Sequence, residues 1–257
     1  MKKPLILVTN DDGITAPGLR ALIRFMSEIG EVVVVAPDSP QSGMGHAITV
    51  DDTLQASKDD KESPDGALVE YSCSGTPADC VKLALQEILD RKPDICISGI
   101  NHGSNASINV IYSGTMSAAI EAGIEGVPAI GFSLCDYSWN ANFEFAREAI
   151  KSIVSEALHN KMPKGVVLNV NIPKMEADLP KGIKICRQAR ANWKEKFDKR
   201  INPRGKEYYW LTGEFELLDK GEDTDEWALA NGYISVVPTQ FDLTAHHAIQ
   251  ELNSWSL

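Results

Sequence analysis

The sequence predicts an α/β fold: a parallel sheet flanked by helices, followed by a C-terminal β-rich arm. Three observations predict it. Short, continuously apolar runs alternate with segments whose apolar residues recur every three or four positions. The runs carry no polar face, as expected of strands covered by helices on both sides. Past about residue 187 the alternation gives way to aromatic, glycine and charged residues, a pattern closer to a hairpin than to more wound sheet.

Leu5-Ile6-Leu7-Val8-Thr9 is the first strand. Pro17 opens a helix whose apolar face is Leu19, Leu22, Ile23, Met26 and Ile29, and Gly30 stops it. Residues 32–36 form the second strand. Thr76-Pro77-Ala78-Asp79 joins an N-cap, a proline at the first helical position and an acidic first turn. Val81, Ala84, Leu85, Ile88 and Leu89 continue that helix. Residues 94–97 are a strand, 116–122 a small-residue helix, 129–133 a strand, 143–158 a long amphipathic helix and 165–170 a further strand. Such alternation argues for a parallel sheet, whose ligands sit beyond the carboxyl ends of the strands. The charge-rich stretches 58–62 and 219–226 read as solvated loops. One domain is expected over residues 1–257, with a core in 1–186 and an arm plus C-terminal elements in 187–257.

The chain has 257 residues, 25 Lys and Arg against 36 Asp and Glu, and a formal charge of −11. An acidic surface repels duplex phosphate, so DNA is not an expected partner. No stretch reaches the roughly 20 apolar residues of a membrane span, so no membrane association is expected. The apolar run at residues 5–9 is too short for a signal-peptide core. The five cysteines form no C-x-x-C pair and read as reduced, buried thiols, which makes a cytoplasmic location the expectation.

The chemistry gathers at strand ends. Asn10-Asp11-Asp12-Gly13 follows the first strand. Adjacent carboxylates are best tolerated around a hard divalent cation, whereas an Asx-turn would equally explain the residue types. The motif alone leaves both open. The second strand ends in Pro37-Asp38-Ser39-Pro40-Gln41-Ser42-Gly43, and the next one in Ser98-Gly99-Ile100-Asn101-His102-Gly103-Ser104-Asn105. Each loop alone is ordinary turn chemistry; three together at one sheet edge point to a ligand. Tyr112-Ser113-Gly114-Thr115 opens a helix and suits a phosphate through free N–H groups and the helix dipole. His46 and His102 are possible proton donors, and His246-His247 reads as surface. The G-x-S-x-G elbow, the Walker A loop and G-x-G-x-x-G are absent, which argues against serine hydrolases, P-loop enzymes and the dinucleotide fingerprint.

Taken in order, Thr9-Asn10-Asp11-Asp12-Gly13-Ile14, Ala36-Pro37-Asp38 with Gln41-Ser42-Gly43, Gly75-Thr76-Pro77-Ala78-Asp79-Cys80, residues 98–105 and Ser113-Gly114-Thr115 resemble the SurE survival proteins. Residues 187–193, 208–210 and 232–235 are family-like too, less specifically. The resemblance implies a Rossmann-like core and metal-dependent hydrolysis of nucleoside 5′- and 3′-monophosphates. It implies one divalent ion, magnesium or manganese with calcium possible in a crystal, on Asp11, Asp12, Ser42 and Asn101. Asp11, Asp12 and Asn101 are the implied catalytic residues. Asn10, Asn105, Ser113, Gly114 and Thr115 are the expected phosphate contacts. A homodimer or tetramer built through an exchanged C-terminal arm is also implied. A broad phosphatase or exopolyphosphatase, and a non-catalytic nucleotide-binding regulator, are the alternatives. Residues 187–206 carry eight basic side chains and Trp193. They read first as an intersubunit arm, with base recognition by charge and stacking as the second reading.

Overall fold

Alternate residues of the first strand face opposite helical layers, and the architecture follows from that pleat. The computed structural model describes residues 3–176 and 178–256. The chain runs β1 (Leu5–Thr9), α1 (Pro17–Ser27), β2 (Glu31–Pro37), β3 (Ala56–Lys58), β4 (Val69–Cys73), α2 (Pro77–Leu83), β5 (Ile95–His102), α3 (Gly114–Ile124), β6 (Ala129–Leu134), α4 (Arg147–Asn160) and β7 (Val166–Ile172). It continues through β8 (Ile183–Ile185), β9 (Ala191–Ile201), β10 (Glu207–Leu217), α5 (Asp225–Ala230), β11 (Ile234–Gln240) and α6 (Ile249–Leu252).

Among the described residues nine strands form one sheet in the order β3-β4-β2-β1-β5-β6-β7-β11-β8, while β9 and β10 pair only with each other. The six strands from β4 to β7 are parallel; β3 and β11 join antiparallel. Ile6 and Val8 pack with Leu19, Leu22 and Phe25 of α1 and with Ile150 and Val154 of α4. Leu5 and Leu7 pack with Val81 of α2 and Ala118 and Ala122 of α3. Gly18 lets α1 seat against β5, because a Cβ there would run into the Ile100 carbonyl oxygen. Thr76 closes the predicted capping box with Asp79 at the start of α2. Past Leu83 that helix loosens into a π turn over Ala84–Ile88.

Two expectations are corrected, and one strand goes unpredicted. The sheet draws on residues beyond 187, because β11 returns to pair with β7. Its Pro238 lies past the end of β8, where a missing N–H leaves no ladder bond unmade. Strand β4 escapes apolar patterning because Glu70 occupies it. That carboxylate is buried and takes two bonds from the Arg20 guanidinium, at 2.6 and 2.9 Å. Nor is the stretch 219–226 a solvated loop throughout: Asp225 is fully buried. Among the described residues no helix is long and apolar enough to cross a membrane.

Candidate functional site

Thr9 of β1 lies opposite Ser98 of β5, so the loops leaving their carboxyl ends meet. Asp11 sits at that meeting and is 4% exposed. Its Oδ1 accepts from the Thr115 hydroxyl at 2.5 Å, and its carbonyl oxygen accepts from the Gln41 N–H at 2.7 Å. Gly114 closes the other side. A Cβ at 114 would stand 2.7 Å from the Asp11 Cβ and 2.9 Å from its Oδ2. The neighbouring Asp12 accepts from the His102 N–H through Oδ2 at 3.1 Å.

Both carboxyls are hard to ionise in this arrangement. Burial first, and the charge of Asp12 second, push Asp11 up to about 6, against the lowering bond from Thr115. Burial also raises Asp12, opposed by the bond from the His102 N–H. Two adjacent acids in such a place call for a proton or a cation between them.

Asn101 spends its Nδ2 on the Gly103 carbonyl at 3.0 Å, which leaves its amide oxygen free to accept. Asp11, Ser42, Asn101, His102, Asn105 and Ser113 line one cavity of about 210 Å³. Among the described residues no three His, Cys, Asp or Glu side chains gather as a metal site. A cation here would therefore rest on the two carboxylates plus neutral oxygens, of which Ser42 and Asn101 supply one each. At the same place the Ser113 hydroxyl caps α3, accepting the Met116 N–H at 3.0 Å. The first turn of a helix is where backbone N–H groups receive an anion.

The structure separates the sequence candidates. Asp11, Ser42, Asn101, Asn105 and Ser113 share the cavity. Asp12 and Gly114 stand directly behind it, held to His102 and Asp11 as described. Asn10 and Thr115, expected at phosphate, are fully buried instead. Asn10 donates to the Gly13 carbonyl at 2.9 Å, and the Thr115 hydroxyl is given to Asp11. Short polar side chains at a strand or helix end satisfy their own loop first. His46 is drawn away as well, its Nε2 lying 2.8 Å from Glu121, which also takes Lys82 at 2.6 Å. His102 points its Nδ1–H at the Ser138 carbonyl, 2.9 Å away, and stacks on Trp139. His246 pairs with Asp242 on the exposed surface.

Other residues that build the place were not singled out from the sequence. The Asn105 N–H donates to Asn171 Oδ1, its carbonyl accepts from Asn169, and its Nδ2 donates to Ser133, each at 2.8 Å. Asparagines two apart in the otherwise apolar β7 were the available signal, since both face one side of a buried strand. Asp225 accepts from the Ser107 N–H and the Ala189 N–H, both at 2.8 Å. It thereby ties the loop after β5 to the foot of the β9–β10 hairpin. A charge run concealed that role.

An acid pair that asks for a cation, opposite a helix start that favours an anion, makes this a Rossmann-like α/β protein equipped for a phosphate ester. The chain belongs to the family described as Survival protein SurE, whose family model matches residues 6–195. It is 70% identical over 257 residues to a Flavobacterium psychrophilum protein named 5′-nucleotidase SurE, covering 100% of this chain and 99% of that protein. A Chlorobaculum tepidum protein of the same name is 42% identical over 256 residues, at 100% and 96% coverage. The crystal structure of the SurE protein from Aquifex aeolicus superposes with a TM-score of 0.83 at 40% identity, covering 97% of this chain and 98% of that one.

Proposed function

We propose that this protein hydrolyses nucleoside 5′-monophosphates, and 3′-monophosphates, to nucleoside and phosphate, with a divalent cation held by Asp11, Asp12, Ser42 and Asn101. The observation that carries it is the adjacent Asp11–Asp12 pair, Asp11 buried and Asp12 half-buried, both held back from ionising and with Asp11 set against the first turn of α3. The names of full-length relatives support the activity. The donor set fits the ion: all four ligands are oxygens, the free Asn101 oxygen among them, and oxygen sets select magnesium or manganese over zinc. When bound, such an ion supplies positive charge toward a phosphoryl group.

The chain's own residues do the positioning. The Ser113 hydroxyl and the Gly114 N–H at the start of α3 receive phosphate oxygens, the next two N–H groups being taken by Asp11 and Ser113. Asp11, clamped between the Thr115 hydroxyl and Gly114, orients the attacking water. Asn105 holds the loop after β5 through Ser133, Asn169 and Asn171. Asn10 and Thr115 act on the phosphate only through the loop and the carboxylate they brace. The hairpin leaves Phe197 63% and Trp210 59% exposed, which supports its use as an arm between subunits of a homo-oligomer. Five unpaired cysteines support a cytoplasmic location.

The test is phosphate release from AMP, GMP, 3′-AMP and tripolyphosphate under one set of conditions. Specificity constants for nucleotides at least tenfold above that for tripolyphosphate are expected. The reverse order would replace this reading with that of a polyphosphate-cleaving phosphatase.

A further inference from the structure

The proposed reaction uses the inner cavity and leaves a second one beside it unassigned. This outer cavity measures about 360 Å³ and lies against the β9–β10 hairpin. Gly43, Tyr112 and Trp193 line both, so the two adjoin across a shared wall.

The hairpin shapes the outer cavity by register. Trp193 lies opposite Phe215 and Glu195 opposite Gly213. Trp193 and Glu195 are two residues apart, so they share one face of the hairpin. Gly213 leaves that face indented beside Glu195; a Cβ there would approach the Lys194 carbonyl oxygen to 3.0 Å. The indole is fixed in place: its N–H donates to Asn109 Oδ1 at 2.8 Å, and Phe215 packs against it edge-on at 5.4 Å. Asn109 stands four residues before Ser113, so the indole is tied to the segment that starts α3. Tyr112, 51% exposed, directly precedes Ser113. An ester whose phosphate rests at Ser113 must carry its organic part past Tyr112 and Trp193.

We infer that the outer cavity holds the nucleobase of the substrate, with Trp193 as its stacking surface and Glu195 reading its edge. The inference rests on the nucleotidase reading above. An indole face accepts any base by stacking, so Trp193 confers affinity for nucleotides over bare sugar phosphates. Selection among bases falls to the polar lining. A carboxylate only accepts hydrogen bonds. Acceptors favour a base edge made of donors. Guanine presents a ring N–H beside an amino group. Adenine presents an amino group beside a ring acceptor, and uracil one N–H between two carbonyl oxygens. The order of preference is therefore guanine first and uracil last.

The experiment compares kcat/KM for GMP, UMP and ribose 5-phosphate in the wild type, Trp193→Ala, Trp193→Phe and Glu195→Gln. Trp193→Ala should lower the ratio of GMP to ribose 5-phosphate by about tenfold to a hundredfold, the range of a lost base–aromatic stack, and Trp193→Phe should restore most of it. Glu195→Gln should lower the ratio of GMP to UMP by about tenfold. Ratios that do not move overturn the inference, whatever the absolute rates do. Should the wild type hydrolyse neither GMP nor ribose 5-phosphate, calorimetric binding of GMP decides. Binding that weakens tenfold or more in Trp193→Ala keeps the base site and overturns the nucleotidase reading alone. Equal binding by both proteins, or none by either, overturns the base site.

Discussion

Replacing Gly114 with alanine tests how tightly the site is built. The new Cβ would stand 2.7 Å from the Asp11 Cβ, whereas ordinary contact begins at 3.4 Å. One of the two must therefore retreat by about 0.7 Å, and a shift of this order at a positioned group costs about tenfold to a hundredfold in rate. Asp11 has little room to give, being 4% exposed with Oδ1 held by Thr115 at 2.5 Å. Overpacking of this kind costs about 1–3 kcal/mol, and alanine's better helix propensity returns at most about 1 kcal/mol. The net loss of about 1–2 kcal/mol lowers the melting temperature by about 2–8 °C in a chain of this length. Phosphate release from AMP at saturating metal, together with a thermal melt, measures both quantities. A variant with wild-type kcat and an unmoved melting temperature would refute the close packing of α3 against Asp11, and with it the clamp assigned to that carboxylate.

Two further predictions follow from the same geometry. Asp11→Asn should reduce turnover below about 1% of wild type at saturating metal, the loss of a group acting in the transition state, and should change the pH dependence of stability without metal. The carboxyl titrates near 3.8 when unfolded and at about 6 when folded. The folded state thus binds the extra proton, and its stabilising contribution is full below the unfolded value and lost as pH rises through about 6. Urea denaturation of metal-free protein should show wild type losing about 3 kcal/mol over that window relative to the variant; parallel curves would contradict the raised carboxyl. Asp225→Ala strands the Ser107 and Ala189 N–H groups in the interior and should cost about 2–5 kcal/mol, seen as a lower urea midpoint with unchanged slope. An unmoved midpoint would mean that the tie between the β5 loop and the hairpin carries no load.

Much of this fold is legible in the sequence alone. Buried parallel strands write themselves as apolar runs, so β1, β2, β6 and β7 were found, and Thr76-Pro77-Ala78-Asp79 announced a cap that formed as read. Legibility failed where a polar group is buried with its partner far along the chain. Glu70 hides β4 because Arg20, fifty positions earlier, neutralises it. Asp225 looked like surface because its partners are backbone N–H groups at 107 and 189. Strand β11 was concealed by Pro238 and by its distance from the strands it joins. The loops bearing Asp11, Ser42, Asn101 and Ser113 could be proposed together from their strand-end positions. The sequence did not show which polar side chains face the cavity and which, like Asn10 and Thr115, turn inward to brace the loop. That division depends on who reaches whom across the fold.

We propose that the Asp11–Asp12 pair with Ser42 and Asn101 holds a divalent cation on which nucleotide hydrolysis depends. It is tested most directly by stripping the protein with chelator, confirming that it remains folded, and titrating magnesium, manganese and calcium while following phosphate release from AMP and GMP. The account predicts no release from stripped protein, recovery with magnesium or manganese, and no recovery in Asp11→Asn at any metal concentration. Full activity after stripping, or full recovery in Asp11→Asn, would contradict it.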